Sequence, residues 1–277
     1  MKKILLSIAA ILAAATFASA QSMAEATEIA KLANESLSAG DLTTALSGFQ
    51  EALTMAQACG EEGEELVETC KGVIPQVMLK IAKQEFNAKN YSAAIDKFTE
   101  AAVTAGQYGS EAVSAEIAKI LPNAYLASGN ALLNAKDYVG AEAAYAKVLE
   151  LDPVNGNAAL RRGMALEALG RADDAIEAYK LAAENGKAAD ANAKIGKLHT
   201  KRASEALKAK KYAESLKEAE TALEYTPDDA TTLNIAGTAC AQLKKNADAV
   251  KYFEKYLEVA PNAKNAEQVK KNIEALK

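Results

Sequence analysis

One pattern constrains the fold of this chain more than any other: a block of sequence that recurs at intervals of 34 residues or more. GNALLNAKDYVGAEAAYAKVLELDP begins at Gly129, and GMALEALGRADDAIEAYKLA begins 34 residues later at Gly163. Related blocks begin at Gly40, Asn90, Lys211 and Asn246. A repeat of this length is typical of a chain in which each unit is a small supersecondary structure and neighbouring units bury a continuous core.

The spacing inside each block predicts two closely packed helices. A small residue recurs in the first half, at Ala33, Ala82, Gly129, Gly163, Ala203 and Gly237. Twelve residues later a second small residue recurs, at Ala45, Ala94, Ala141, Ala175, Ser215 and Ala249. Four residues further, on the same helical face, come Phe49, Phe98, Tyr145, Tyr179, Ala219 and Phe253. Small residues let two helices approach and the aromatic ring fills the contact, so the fifth unit, with Ala219, is expected to have a thin core.

With these residues at these places, the chain resembles the tetratricopeptide-repeat family, whose unit is a helix-turn-helix of 34 residues. The resemblance implies an all-α fold, a right-handed α-solenoid of six repeats closed by a C-terminal capping helix. The predicted repeats are residues 26–59, 75–108, 122–155, 156–189, 196–229 and 230–263, with the cap at 264–277. Because no linker rich in Gly, Ser or Pro interrupts the array, residues 21–277 are predicted to form one solenoid domain.

The repeats depart from a strict period at two places, before Pro75 and before Pro122. The extra residues there, EEGEELVETCKGVI and GSEAVSAEIAKIL, keep a helical composition. We therefore expect them to extend the first helices of the second and third repeats at their N-terminal ends, with a kink near each proline.

The N-terminus has the pattern of a secretory signal peptide over residues 1–20. Lys2 and Lys3 precede an apolar run that ends in Ala18-Ser19-Ala20, a cleavage pattern before Gln21. We predict a periplasmic or secreted protein, with no lipid anchor because the residue directly after the cleavage site is Gln21 and not a cysteine, and with no membrane span. Cleavage changes the formal charge from −5 to −7, which argues against nucleic acid as a partner.

The sequence offers little for catalysis. His199 is the single histidine, and no nucleophile elbow, zinc-protease motif or phosphate-binding loop is present. His199 is expected to be a partly buried structural residue. The acidic cluster between Glu61 and Glu68 lacks the alternating loop ligands of a calcium site and is expected to be a solvated face. We predict no enzymatic activity, no cofactor and no metal.

The three cysteines differ in their expected surroundings. Cys240 occupies a core position and is expected to be a buried free thiol. For Cys59 and Cys70 two alternatives stay open. An oxidising compartment favours a disulfide, whereas helices flanking residues 60–63 would place Cys70 roughly 9 Å too far along the second helix.

The resemblance also implies a binding surface, because first helices in this family line a concave groove that holds peptides. The expected groove residues are Asn123, Leu126, Asn130, Asn157, Leu160, Arg161, Met164, Lys197, Lys201 and Asn234. Some family members hold a ligand carboxylate with Lys, Asn, Asn, Lys and a basic residue. The matching positions here are Leu126, Asn130, Arg161, Lys197 and Lys201. Leu126 does not fit this pattern because it stands where Lys is expected, and Arg161 stands where Asn is expected. The six extra residues before the fifth repeat are a further departure, since they could rotate Lys197 away from the groove.

These features predict a non-enzymatic interaction scaffold that binds a protein or peptide partner in its groove. Residues 194–211 carry seven Lys or Arg and one Glu, either as an exposed basic helix face or as a site for an acidic partner segment. The alternative function is a structural spacer in envelope assembly or cell division that acts through self-association. The oligomeric state is left open.

Overall fold

The structure, a computed structural model, describes the backbone of residues 2–277 and the side chains of residues 21–277. The predicted signal peptide, residues 1–20, lies outside the residues whose side chains are described, and its cleavage stays a prediction. Within the described part of the chain, no helix combines the length and the apolar character needed to cross a membrane.

The described chain is helical, with no β-strand between residues 2 and 277. The helices are α1 (Lys2–Ala39), α2 (Leu42–Ala58), α3 (Glu64–Asn87), α4 (Tyr91–Gln107), α5 (Glu111–Asn134), α6 (Tyr138–Leu151), α7 (Gly156–Ala168), α8 (Ala172–Ala182), α9 (Ala188–Lys208), α10 (Tyr212–Tyr225), α11 (Ala230–Gln242), α12 (Asn246–Val259) and α13 (Ala266–Leu276). A 3₁₀ turn, Gly60–Gly63, joins α2 to α3, and an irregular turn, Ala183–Lys187, joins α8 to α9. The predicted all-α architecture of successive helix pairs is confirmed.

The helices form two compact units, which we call the N-terminal unit (Met1–Ser128) and the C-terminal unit (Gly129–Lys277). The core of the N-terminal unit is built around Phe49 and Phe98. The core of the C-terminal unit is built around Tyr179 and Phe253. The prediction that residues 21–277 form one domain stays a prediction.

Three first helices are longer than the family unit requires. α3 runs without interruption through Pro75 and α5 through Pro122, so residues 64–74 and 111–121 are N-terminal helix extensions, as predicted. Residues 61–63 lie instead in the 3₁₀ turn, and residues 109–110 precede α5. The kink expected near each proline stays a prediction. The six extra residues before the fifth repeat are accommodated in the same way. They extend α9 back to Ala188, and this extension buries Ala191 and Ile195 against the core around Tyr179.

The turns inside the six helix pairs are equivalent, which establishes the register of the repeats. Each turn closes on a residue with positive φ, at Gly40, Lys89, Lys136, Gly170, Lys210 and Lys244. Left-handed backbone at the end of a helix satisfies its last carbonyl groups. The intervals between these residues equal those between the predicted repeat starts, so the array contains six matching pairs within the described residues.

Close contact between a glycine and an aromatic ring holds three helix pairs of the C-terminal unit together. A Cβ atom added at Gly129 would lie 2.7 Å from the Tyr145 ring, and one added at Gly163 would lie 2.5 Å from the Tyr179 ring. Gly237 stands in the same relation to a fully buried phenylalanine, at 2.6 Å. In these three pairs the first helix therefore has no room for a side chain where the ring of the second helix packs against it.

In the fifth pair, α9 and α10, the two helices pack at this place without an aromatic ring. Ala203 faces the position where Ala219 replaces the aromatic residue, and both are fully buried. The Ser215 hydroxyl donates to the Ala203 carbonyl at 2.8 Å. A methyl group in the first helix is thus accommodated where the second helix carries no ring.

We expect Gly163→Ala to lower the free energy of unfolding by about 1–3 kcal/mol, the usual cost of overpacking a dense core. The Tyr179 ring is fully buried and cannot move away from the added methyl group. The control is Gly106→Ala in α4, where an added Cβ meets no atom within 4 Å. Alanine there is expected to be neutral or to stabilise the helix by up to about 1 kcal/mol. Urea unfolding of both variants checks this, and equal losses would contradict the packing account.

Candidate functional site

The expected groove residues divide between the two units. Asn123 and Leu126 lie in the N-terminal unit, Asn123 exposed and Leu126 half-buried. The others lie in the C-terminal unit on first helices, and we call them the first-helix surface. They are Asn130, Asn157, Leu160, Arg161, Met164, Lys197, Lys201 and Asn234.

The apolar members of the first-helix surface are partly used by the core. Leu160 and Met164 are half-buried and pack against the cluster around Tyr179. Asn157 and Arg161 lie on the same face of α7 and are exposed. The surface that α7 presents is therefore predominantly polar.

Asn130 is hydrogen-bonded to a buried hydroxyl group. The Tyr145 hydroxyl, which comes from α6, donates to Oδ1 of Asn130 at 2.9 Å. Burial raises the pKa of Tyr145, while the influence of Arg161 on α7 opposes that rise. The hydroxyl thus holds a carboxamide on α5 and is exposed to the charge of a guanidinium on α7.

The equivalent tyrosine of the next repeat has a different partner. The Tyr179 hydroxyl donates to Oε2 of Glu167 at 2.8 Å, and the Lys194 ammonium lies 3.7 Å from the same carboxylate oxygen. Burial, followed by the hydrogen bond and the charge of Glu167, raises the pKa of Tyr179. This hydroxyl is therefore hydrogen-bonded to a member of an ion pair and not to a residue of the first-helix surface.

Four of the seven basic residues in the stretch at 194–211 are paired with carboxylates. Ion pairs within 4.0 Å join Lys194 to Glu167, Lys201 to Glu205, Arg202 to Asp173 and Lys211 to Glu214. Lys197 has no ion pair among the described residues and belongs to the first-helix surface. Arg161 likewise has no carboxylate partner in the described part of the chain.

Lys197 lies at a cavity of about 400 Å³ between α9 and α11, and most of the residues that line it are of polar type. The cavity is lined by Ala193, Lys197, Thr200, Thr226, Asp229 and Thr231. Asp229 caps α11, because its carboxylate accepts from the Thr232 backbone N–H at 2.7 Å. The Thr200 and Thr232 hydroxyls lie 2.6 Å apart. The cavity therefore offers hydroxyl, carboxylate and ammonium groups for contact with polar parts of a ligand.

His199 is used inside the fold. Its Nδ1 lies 2.7 Å from Oε2 of Glu218, and its ring stacks on Tyr225 with centroids 6.4 Å apart. Within the described residues no three His, Cys, Asp or Glu side chains are grouped in a way that would hold a metal ion. His199 thus has the structural surroundings that the sequence indicated.

The structure does not join Cys59 to Cys70. The Cys59 thiol donates to the Met55 carbonyl at 3.3 Å, and Cys70 is a free, fully buried thiol in α3. Because α3 begins at Glu64, Cys70 lies about 9 Å along the helix axis from its start. Of the two alternatives left open by the sequence, the structure has the unbridged one.

The family model for the tetratricopeptide repeat matches residues 126–193 and 200–265. These segments contain the Gly129–Tyr145, Gly163–Tyr179 and Gly237–Phe253 contacts. The matched segments belong to the tetratricopeptide-repeat family. The N-terminal helix pairs, outside the matched segments, keep the same turns and the same small and aromatic positions. No curated protein matches the sequence.

Solved structures with similar folds are distant. MamA is 20% identical, with 57% of this chain and 81% of that chain covered and a TM-score of 0.39. YrrB, described as a tetratricopeptide-repeat protein with an unusual peptide-binding site, is 19% identical over 70% and 91%, with a TM-score of 0.38. The yeast Sti1 domain pair in complex with an Hsp90 peptide is 14% identical over 91% and 98%, with a TM-score of 0.28. At TM-scores below 0.5 these superpositions carry no argument about the ligand of this chain.

Sequence reasoning missed the supporting residues of the site. The sequence pattern indicates Tyr145 only as a core ring, and it does not indicate the cavity residues Thr226 and Asp229. The one available signal was that aromatic positions carry a hydroxyl in the third and fourth repeats and none in the sixth, which has Phe253.

We expect three thiols to titrate when the full chain, purified without reductant, is unfolded in denaturant. In the folded protein, Cys70 and Cys240 are expected to react slowly. Both are buried, and burial raises the pKa of Cys70 and raises that of Cys240 to about 11, so little reactive thiolate forms. The measurement is reaction with a disulfide-exchange reagent at pH 8. A single thiol after unfolding would show that Cys59 and Cys70 are bridged.

Proposed function

We propose that the protein is an interaction scaffold without chemistry of its own, which binds an extended protein segment bearing carboxylates on the first-helix surface of the C-terminal unit. The observation that carries this proposal is the pair of exposed cations on that surface. Arg161 on α7 and Lys197 on α9 have no carboxylate partner among the described residues. In a chain of net charge −5, most basic side chains around them are paired.

The polar side chains of the surface suit an extended segment better than a compact ligand. Asn130, Asn157 and Asn234 are contributed by three different helices, α5, α7 and α11. Each carboxamide can donate to a backbone carbonyl and accept from a backbone N–H. Such contacts hold a peptide largely independently of its sequence, and the two cations then select segments with acidic side chains.

We also propose that the scaffold acts outside the cytoplasm. The support is the charged start, apolar run and small-residue cleavage pattern of residues 1–20. Protein purified from the envelope fraction of the native host is expected to begin at Gln21. An N-terminus at Met1 in all cell fractions would contradict export.

The binding proposal is tested by crosslinking the tagged, full-length protein in its native host and identifying the captured proteins. The double variant Arg161→Ala, Lys197→Ala is expected to reduce capture of the partner about tenfold or more. Each lost charge-assisted hydrogen bond contributes about 1.5–3 kcal/mol. Capture is quantified by mass spectrometry against the unaltered protein.

A matched control removes the same two residue types elsewhere in the same unit. In Arg171→Ala, Lys217→Ala, the arginine lies in the turn before α8, paired with Asp174 at 2.7 Å, and the lysine is exposed on α10. The control variant is expected to capture the partner normally. Equal capture by both variants would contradict the assigned surface. Crosslinks to further copies of this chain alone would favour the structural, self-associating role.

A further inference from the structure

The contact between Tyr145 and Asn130 has a consequence for the chemistry of the ligand. Asn130 is half-buried at the end of α5, and its carboxamide has one acceptor and one donor end. Which end faces outward decides whether the surface attracts a carboxylate or repels it. The tyrosine hydroxyl touches this group at 2.9 Å.

The hydrogen bond has a fixed direction. The Tyr145 hydroxyl donates its single proton to Oδ1 of Asn130, which is the acceptor end of the carboxamide. The NH₂ end of Asn130 is therefore left for other partners. The charge of Arg161 acts on the same hydroxyl from α7.

This arrangement is confined to one repeat of the C-terminal unit. At the equivalent position of the fourth repeat, Tyr179 donates to Glu167, a carboxylate already close to Lys194. The fifth repeat has Ala219 and the sixth has Phe253, neither of which carries a hydroxyl. Among the four equivalent positions, Tyr145 is therefore the one whose hydroxyl donates to a residue of the first-helix surface.

We propose that Tyr145 is the positioning residue that determines ligand preference here: its hydroxyl holds Asn130 with the NH₂ end free to donate to a carboxylate oxygen of the bound segment. This inference rests on the proposed function. Tyr145 itself is fully buried and does not touch the ligand. Without the hydroxyl the Asn130 carboxamide is free to turn its carbonyl oxygen outward, where it repels a carboxylate.

The test compares Tyr145→Phe with Tyr179→Phe. Both variants keep a buried ring against its glycine and lose one hydroxyl. The probes are dodecapeptides selected on the unaltered full-length protein from a random library. Each is paired with a version in which Asp and Glu are replaced by Asn and Gln. Affinities of both members of each pair are measured for the three proteins.

Tyr145→Phe is expected to weaken binding of the acidic peptides about five- to tenfold, the usual worth of one hydrogen bond. Binding of the carboxamide versions is expected to change little. The ratio of the affinity for an acidic peptide to that for its carboxamide version is therefore expected to fall. Tyr179→Phe is expected to keep the full preference. A merely structural role of Tyr145 would weaken both members of each pair equally.

A spectroscopic readout checks the hydrogen bond without any ligand. The side-chain NH₂ signals of Asn130, assigned by their loss in Asn130→Ala, are expected to shift in Tyr145→Phe and to stay in place in Tyr179→Phe. Unchanged Asn130 signals, or an unchanged carboxylate preference, would overturn the inference while leaving the scaffold function standing. A library that yields no binding peptide would instead overturn the proposed function.

Discussion

The contact on which the C-terminal unit depends is the one between a glycine of the first helix and an aromatic ring of the second. At Gly163 the ring of Tyr179 lies so close that an added Cβ would be 2.5 Å from it. Dense packing of this kind gives each helix pair one well-defined geometry, because the core has no room for an alternative. Because the buried face of the first helix is fixed in this way, the position of its exposed face, on which the candidate site lies, is fixed as well.

The same rings connect the core to the surface chemistry. A tyrosine buried as a ring still carries a polar hydroxyl that needs a partner. In the third repeat that partner is Asn130, with Arg161 beside it, and in the fourth it is Glu167. Repeats with the same backbone therefore present different polar groups. In the account proposed here, only the third repeat presents a carboxamide, that of Asn130, whose orientation favours a carboxylate ligand.

Sequence reasoning recovered the repeats because their signal is summed over six units. Small and aromatic residues at fixed spacings predicted the helix pairs, and the extra residues of helical composition before Pro75 and Pro122 predicted the extensions of α3 and α5. It could not recover how charges pair, since Lys194 and Glu167 lie far apart in sequence and meet only through the fold. The stretch at 194–211 therefore looked more basic than its ion pairs leave it. The polarity of the Asn130 contact was hidden for the same reason.

The most direct test of the central claim places a photo-activatable amino acid at Asn157, exposed on the first-helix surface, and separately at Glu177, exposed on α8. Each variant of the full-length chain is irradiated in its native host, and the adducts are identified. The account predicts one partner protein crosslinked from position 157 and absent from position 177. Adducts from 177 alone, or the same partner from both positions, would show that the partner does not bind the first-helix surface.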